Sequence, residues 1–244
     1  IAALNVAQEV QQSLLPQQPP KEKCFDIAGS SLYCDETGGD YYDYIELPCL
    51  GSGTYAIVVG DVSGHGISSA LLMAGVRAYL RGRVTRAGSV AEMISDVNRL
   101  VSADTIETNQ FMTLFFLVME VQTGQITWVR AGHDPALLYT PDKDHFEKLE
   151  GHGIPLGVEK TWQYQDYTKT VRPGQTLVLT TDGVLEAHNK NGEMFGRDRV
   201  KEIIRRYAAL GAEGIRLAII DAVTAFREDA RQEDDITLVV LKFL

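Results

Sequence analysis

The sequence is short of the residues that build several common protein classes. Its 244 residues include 3 Cys, and Cys24, Cys34 and Cys49 form no CxxC spacing. That pattern excludes a disulfide framework and a cysteine-rich zinc site, and it fits a reducing, cytoplasmic compartment. Long apolar runs are also missing. The longest, Phe111–Met119, falls far short of the roughly 18 residues a membrane span needs. No basic segment leads into an apolar stretch at the start, so no signal peptide is visible and no membrane contact by this fragment is expected. Basic residues are outnumbered, 23 Lys+Arg against 33 Asp+Glu, for a formal net charge of −10. Such a balance argues against nucleic acid, because binding it depends on cations that neutralise phosphates. The one basic stretch, Arg77–Arg86, is interleaved with apolar residues and reads as one helix face.

What is present is ordinary globular material: 45% hydrophobic and 23% charged residues. Residues 1–15 lack Gly and Pro and place Ile1, Leu4, Gln11 and Leu14 near heptad spacing, with Ala7 and Val10 filling in. Pro16 and Pro19-Pro20 end that helix. The chain begins at Ile1 rather than Met. Residues 1–20 therefore read as a connector helix and linker from an upstream regulatory domain, sensory or receiver in kind, which could anchor the full-length protein to a membrane. A homodimer through this helix would follow. Its bland alternative is a terminal helix packed on its own domain.

Beyond it, Ile27–Tyr33, Tyr41–Leu47 and Thr54–Asp61 are β-prone runs separated by Gly/Pro clusters. Gly66–Arg86 and Ser89–Asp104 have helical spacing, the second with a Ser N-cap. Strands return at Met112–Val121 and Gln125–Ala131, around the hairpin signal Gln122-Thr123-Gly124. Shorter runs follow at Ala136–Tyr139, Phe146–Leu149 and Thr176–Thr181. Helices over Arg197–Leu210 and Glu213–Arg227 precede a last strand, Ile236–Phe243. This order predicts an α+β fold: two mainly antiparallel sheets in a sandwich flanked by helix pairs, in α-β-β-α layers.

The carboxylates fall in informative places. Thr54–Gly60 terminates in Asp61, Leu177–Thr181 in Asp182-Gly183, Asp234-Asp235 precedes Ile236–Leu241, and Gly38-Gly39-Asp40 opens Tyr41–Leu47, with Asp43 three residues on. One such Asp reads as a turn residue or helix cap. Four at strand ends, with too few Lys/Arg nearby, read as hard-oxygen ligands for Mg²⁺ or Mn²⁺. Cys34 has no His near it in sequence and reads as a core thiol.

Five segments carry a family resemblance: Gly38-Gly39-Asp40-Tyr41-Tyr42-Asp43, Gly60-Asp61-Val62-Ser63-Gly64-His65-Gly66, Ala131-Gly132-His133-Asp134-Pro135, Thr181-Asp182-Gly183-Val184-Leu185-Glu186-Ala187 and Asp234-Asp235-Ile236-Thr237. In this order they resemble bacterial type 2C metal-dependent Ser/Thr phosphatases, in the branch named for SpoIIE and RsbU. Gln11-Gln12-Ser13-Leu14-Leu15-Pro16 looks like the usual entry into such a domain. The resemblance implies a phosphatase domain over 21–244 that binds two Mn²⁺ or Mg²⁺ ions bridged by the water that attacks the phosphate. Asp40 and Asp61 would be its catalytic carboxylates. Asp61 would bridge both metals, with the Val62 carbonyl on the second, Asp182 and Asp234 on the first, and Asp40 on the second through water. Asp235 and Gly183 would stand just behind the ligands, and Asp43 would be an outer residue or the first exposed residue of its strand.

Departures sharpen the comparison. Ser63 takes the register where eukaryotic members carry a His proposed as general acid, and His65 lies two further on. His65 is therefore either an acid or a loop residue beside a helix N-terminus. His133 falls near a position that serves a third metal in some relatives, or it is an orienting hydrogen-bond donor. Asp35-Glu36-Thr37 stand where many relatives place a phosphate-gripping Arg. The expected activity is that of a protein-phosphoserine/phosphothreonine phosphatase, the output domain of a bacterial stress-signalling protein. Its implied partner is a phosphorylated regulator of the anti-sigma-factor-antagonist type. The rival is a phosphatase-like module that is catalytically weak or inactive and acts by partner binding. A third reading keeps the enzyme but gives it a nucleotide or small phosphoester.

Overall fold

The computed structural model describes residues 2–244. The strands in chain order are β1 (Phe25–Leu32), β2 (Tyr41–Glu46), β3 (Thr54–Val62), β4 (Met112–Glu120), β5 (Gln125–Ala131), β6 (Ala136–Thr140), β7 (His145–Leu149), β8 (Tyr167–Thr170), β9 (Thr176–Thr180) and β10 (Ile236–Phe243). They form two five-stranded sheets, ordered β1-β10-β9-β6-β7 and β2-β3-β4-β5-β8. Every ladder between them is antiparallel. The helices are α1 (Ala2–Leu14), α2 (Ile67–Arg83), α3 (Val90–Asp104), α4 (Asp182–Leu185), α5 (Gly196–Tyr207) and α6 (Ala212–Arg227).

The layer order explains the burial. With α2 and α3 on one sheet and α6, backed by α5, on the other, both sheets are covered on both faces. A central strand then needs apolar residues at every position. In β4, Leu114 to Met119 are all buried, so the longest apolar run in the sequence is a strand covered on both sides. One core lies between the sheets and under α2 and α3, with Phe115, Leu117, Met73 and Met93 inside. A second lies under α5 and α6, with Val178, Val240, Ile204 and Ile219. The predicted Ser89 cap is a full capping box: Ser89 Oγ accepts from the Glu92 amide while the Glu92 carboxylate accepts from that of Ser89. Among the described residues, no helix is long and apolar enough to cross a membrane.

Several expectations change. Strand β8 and the single turn α4 have no clear sequence signal, because four residues are too few to show a period. The arginines of 77–86 do not share one face. Arg77 Nε donates to the Leu14 carbonyl (2.8 Å), Arg81 reaches Asp43, and Arg83 turns to Asp96 and the Arg86 carbonyl. Within the single chain Val10 is 57% exposed, while Gln11, at 4%, is buried. Cys34 is half-buried rather than in the core; burial and the adjacent Asp235 charge push its thiol up to about 12.

Asp43 is the largest correction. It is not an exposed strand residue. It lies fully buried under α2, where Arg81 Nε and Nη2 grip its two oxygens at 2.8 and 2.7 Å and the Tyr41 hydroxyl donates at 2.7 Å. A buried carboxylate left without its cation is costly, about 3–5 kcal/mol. Arg81→Ala should therefore lower unfolding stability by about that amount in urea titrations. A loss under about 1 kcal/mol would mean the pair contributes little to the fold.

Candidate metal centre

Antiparallel pairing gathers the carboxylates two by two. Tyr41 opposes Gly60, so Asp40, before β2, and Asp61, near the end of β3, share one sheet end. Leu238 opposes Thr180, so Asp182, after β9, and Asp234, before β10, share an end of the other sheet. Two side chains fasten these ends together across the sandwich. Asp235 Oδ2 accepts from the amides of Gly39 (2.8 Å) and Asp40 (3.3 Å), and its Oδ1 accepts from that of Cys34 (2.8 Å). Thr181 Oγ1 donates to Asp40 Oδ2 at 2.8 Å.

Glycine is needed at this junction. A β-carbon on Gly38 would collide with Asp235 Oδ2, and one on Gly183 with the Asp235 carbonyl. The Val62 backbone lies beside the same loop, its amide donating to the Gly39 carbonyl at 3.4 Å. From outside, Gln11 of α1 holds both backbone groups of Gly38: Nε2 donates to its carbonyl (2.7 Å) and Oε1 accepts from its amide (3.1 Å).

The electrostatics are those of crowded anions. Burial, then the charges of Asp182, Asp234 and Asp235, pushes Asp61 up to about 8. Asp40 is driven well above the usual carboxylate range by burial and then by Asp61 and Asp235, against the Thr237 and Thr181 hydrogen bonds. Asp182 and Asp234 are raised as well, in both cases first by burial. As the side chains stand, no three His, Cys, Asp or Glu groups of the described residues surround a common point. The donor chemistry nonetheless fits a hard divalent cation. These are carboxylate oxygens, they repel one another, and neighbouring Arg residues such as Arg81 and Arg197 pair with other acids.

A cleft of about 440 Å³ opens beside Asp61 and Asp182, with Thr113, His133, Asp134 and Arg197 around it. Asp234 lines a smaller cleft of about 140 Å³ on the other side of Glu186. The fold and this arrangement have clear parallels. A family model described as Stage II sporulation protein E (SpoIIE) matches residues 51–244. The chain belongs to the SpoIIE family.

This SpoIIE-family domain is 27% identical over 239 residues to the phosphoserine phosphatase RsbU of Bacillus subtilis (strain 168), covering 98% of this chain and 69% of RsbU. It spans less than half the length of two further curated relatives. Its fold is that of the SiaA-PP2C domain of Pseudomonas aeruginosa, with a TM-score of 0.84 at 22% identity over 100% of this chain and 96% of that one. The catalytic domain of the phosphatase PstP, solved with 2 manganese ions, also shares it. There the TM-score is 0.66 at 13% identity, over 91% and 99% of the two chains.

The other sequence candidates in this SpoIIE-family domain separate by position. His65 is an exposed loop residue before α2, its Nδ1 3.0 Å from Asp35 Oδ2, and it does not line the larger cleft. Ser63 Oγ accepts from the Phe111 amide and so fixes the loop after β3. His133 does line the cleft. It is buried, its Nδ1 shares a 2.8 Å hydrogen bond with Thr113 Oγ1, and its Nε2 has no partner among the described residues. Burial pushes its pKa down to about 4, so it is neutral at physiological pH.

Gln11, Thr181 and Glu186 stood inside quoted sequence motifs without a role at the site, and Arg197 only as the start of a helix. Thr181 adjoins a quoted aspartate, and Glu186 lies in that same motif. Arg197 carries no sequence signal beyond a preceding Phe195-Gly196.

The raised Asp61 makes a pH prediction. Its acid form is favoured by the metal-free folded state, so its stabilising contribution is complete below about pH 4 and is lost as pH rises through about 8. Without metal, Tm should fall across this window more steeply for the wild type than for Asp61→Asn. Parallel Tm–pH curves would show that Asp61 titrates as an ordinary surface carboxylate.

Proposed function

We propose that this domain is a metal-dependent protein-phosphoserine/phosphothreonine phosphatase. The observation that carries the reading is the meeting of two aspartate pairs, one from each sheet, at one end of the sandwich beside an open cleft. In this reading Asp61, Asp182, Asp234, Asp40 and the Val62 carbonyl hold two Mn²⁺ or Mg²⁺ ions. Such ions supply a nucleophile from water at neutral pH and neutralise charge on the phosphoryl oxygens.

The chain's own residues do the rest. Asp235 and Thr181 hold the Asp40 loop against the other sheet, so the ligands of both sheets keep one spacing. Gly183 lets the Asp182 turn approach the Asp235 backbone. His133, buried beside the cleft with its pKa pushed down by burial and its Nδ1 on Thr113 Oγ1, suits an orienting role better than that of an acid. His65, exposed and beside Asp35, is the less suited to proton donation because the larger cleft does not include it.

We further infer a substrate of the anti-sigma-factor-antagonist type, by likeness to RsbU. Residues 1–20 would be the connector from an upstream domain in the same cytoplasmic polypeptide, with a homodimer through the helix. Gln11, which links α1 directly to Gly38, is the contact through which such a connector would reach the site.

Phosphate release from a phosphoserine protein should appear with Mn²⁺ or Mg²⁺, stop with excess chelator, and disappear in Asp61→Ala while circular dichroism is unchanged. No release from a folded wild type under either metal would favour the partner-binding module. Near wild-type turnover by Asp61→Ala would remove Asp61 from the metal site. A small phosphoester cleaved as efficiently as the phosphoprotein would move the substrate class to small molecules.

A further inference from the structure

The larger cleft is walled by acids. Asp61 and Asp182 stand on one side, Asp134 and Glu186 complete it, and Arg197 is the single Lys or Arg among the described residues that line it. A phosphomonoester is itself a dianion, so this wall repels the group the domain is read to cleave. Acids also occupy the segment before Gly38, where Asp35 is engaged by His65 and Arg231. Beside the metal ions that the phosphatase reading places on the aspartates, a side-chain cation that also grips the phosphate has to come from elsewhere in the fold.

Arg197 is placed for it. It is the second residue of α5, directly after Gly196, whose φ of +77 turns the chain sharply into the helix. A cation in the first turn opposes the helix dipole and requires compensation. Asp134, on the loop after β5, provides it: Arg197 Nη2 donates to Asp134 Oδ2 at 2.6 Å. This is a one-point contact. It is the one hydrogen bond from Arg197 within the described residues, whereas the guanidinium has five N–H donors in a fork shaped for two oxygens. Both side chains are about one-third exposed, 32% for Arg197 and 35% for Asp134, so the pair is open to exchange with an incoming anion.

We propose that Arg197 is the phosphate-gripping residue of the cleft. Asp134 holds its guanidinium ready in the empty site and gives it up to the phosphoryl oxygens of a phosphomonoester. Arg197 binds and orients the group, and makes or breaks no bond. The proposal rests on the phosphatase reading and adds to it the residue that takes the substrate's charge.

The test is a calorimetric titration of inorganic phosphate and of phosphoserine into the Mg²⁺-loaded protein, with turnover of a small phosphomonoester measured alongside. Losing a charge-assisted bidentate contact should weaken phosphate binding about 10–100-fold in Arg197→Ala. Arg197→Lys should retain part of the affinity. In turnover, KM should rise more than kcat falls. Asp134→Asn removes the competitor for the guanidinium, so it should bind phosphate at least as tightly as wild type. That opposite response separates a ligand from a structural ion pair, whose two halves would weaken binding alike.

Unchanged phosphate affinity in Arg197→Ala, or equal losses in Arg197→Ala and Asp134→Asn, would overturn the proposal and leave the phosphatase reading standing. Absence of both metal-dependent turnover and phosphate binding in the wild type would overturn the two together.

Discussion

The site depends on a single buried carboxylate. Asp235 is 3% exposed and accepts hydrogen bonds from three backbone amides, those of Cys34, Gly39 and Asp40. A buried carboxyl group needs partners for its lone pairs, and here backbone donors supply them. These donors lie on the segment that leads into β2, while Asp235 itself leads into β10 of the opposite sheet. One side chain therefore sets the spacing between the sheets at the end where the other aspartates sit. Pulling it away would leave the Gly39 and Asp40 amides with neither partner nor position.

Around this fastening the structure carries an electrostatic strain. Asp40, Asp61, Asp182 and Asp234 raise one another or are raised by Asp235, and burial is the first cause for each. A fold selected for stability alone would supply counter-charges, as it does for Asp43, which is enclosed by Arg81 and Tyr41. Asp43 is paired and belongs to the packing of α2 on its sheet. Among the described residues Asp61 has no such cation, and it opens onto a cleft, as expected of an acid whose role is not in packing.

The path inward from α1 follows from the same geometry. Gln11 meets both the donor and the acceptor of Gly38, one residue before the amide that Asp235 holds. Residues from distant parts of the chain thus converge on a stretch that must be glycine for lack of room. A displacement of α1 would reach the Asp40 loop through hydrogen bonds rather than through soft packing, and hydrogen bonds tolerate little misalignment.

Period and punctuation made much of the fold legible. Central strands appeared as apolar runs, α3 as a capped helix, and the β4–β5 hairpin through its Gly124 turn. Asp40, Asp61, Asp182 and Asp234 were legible as chemistry, since a carboxylate at the end of a buried apolar segment is costly unless a cation meets it. Short elements such as β8 and α4 were not legible, because a period needs length. Nor was the fate of Asp43, whose partner Arg81 lies 38 residues away. The sequence by itself determined which segments are strands and helices, and that acids cluster at strand ends, because those properties are written in neighbouring residues. Only the tertiary structure decided which acids share an end, which one is neutralised by an arginine, and which face an open cleft opposite Arg197. Such outcomes depend on contacts between residues far apart in the chain, such as Cys34 and Asp235, 201 positions apart, and no local pattern encodes them.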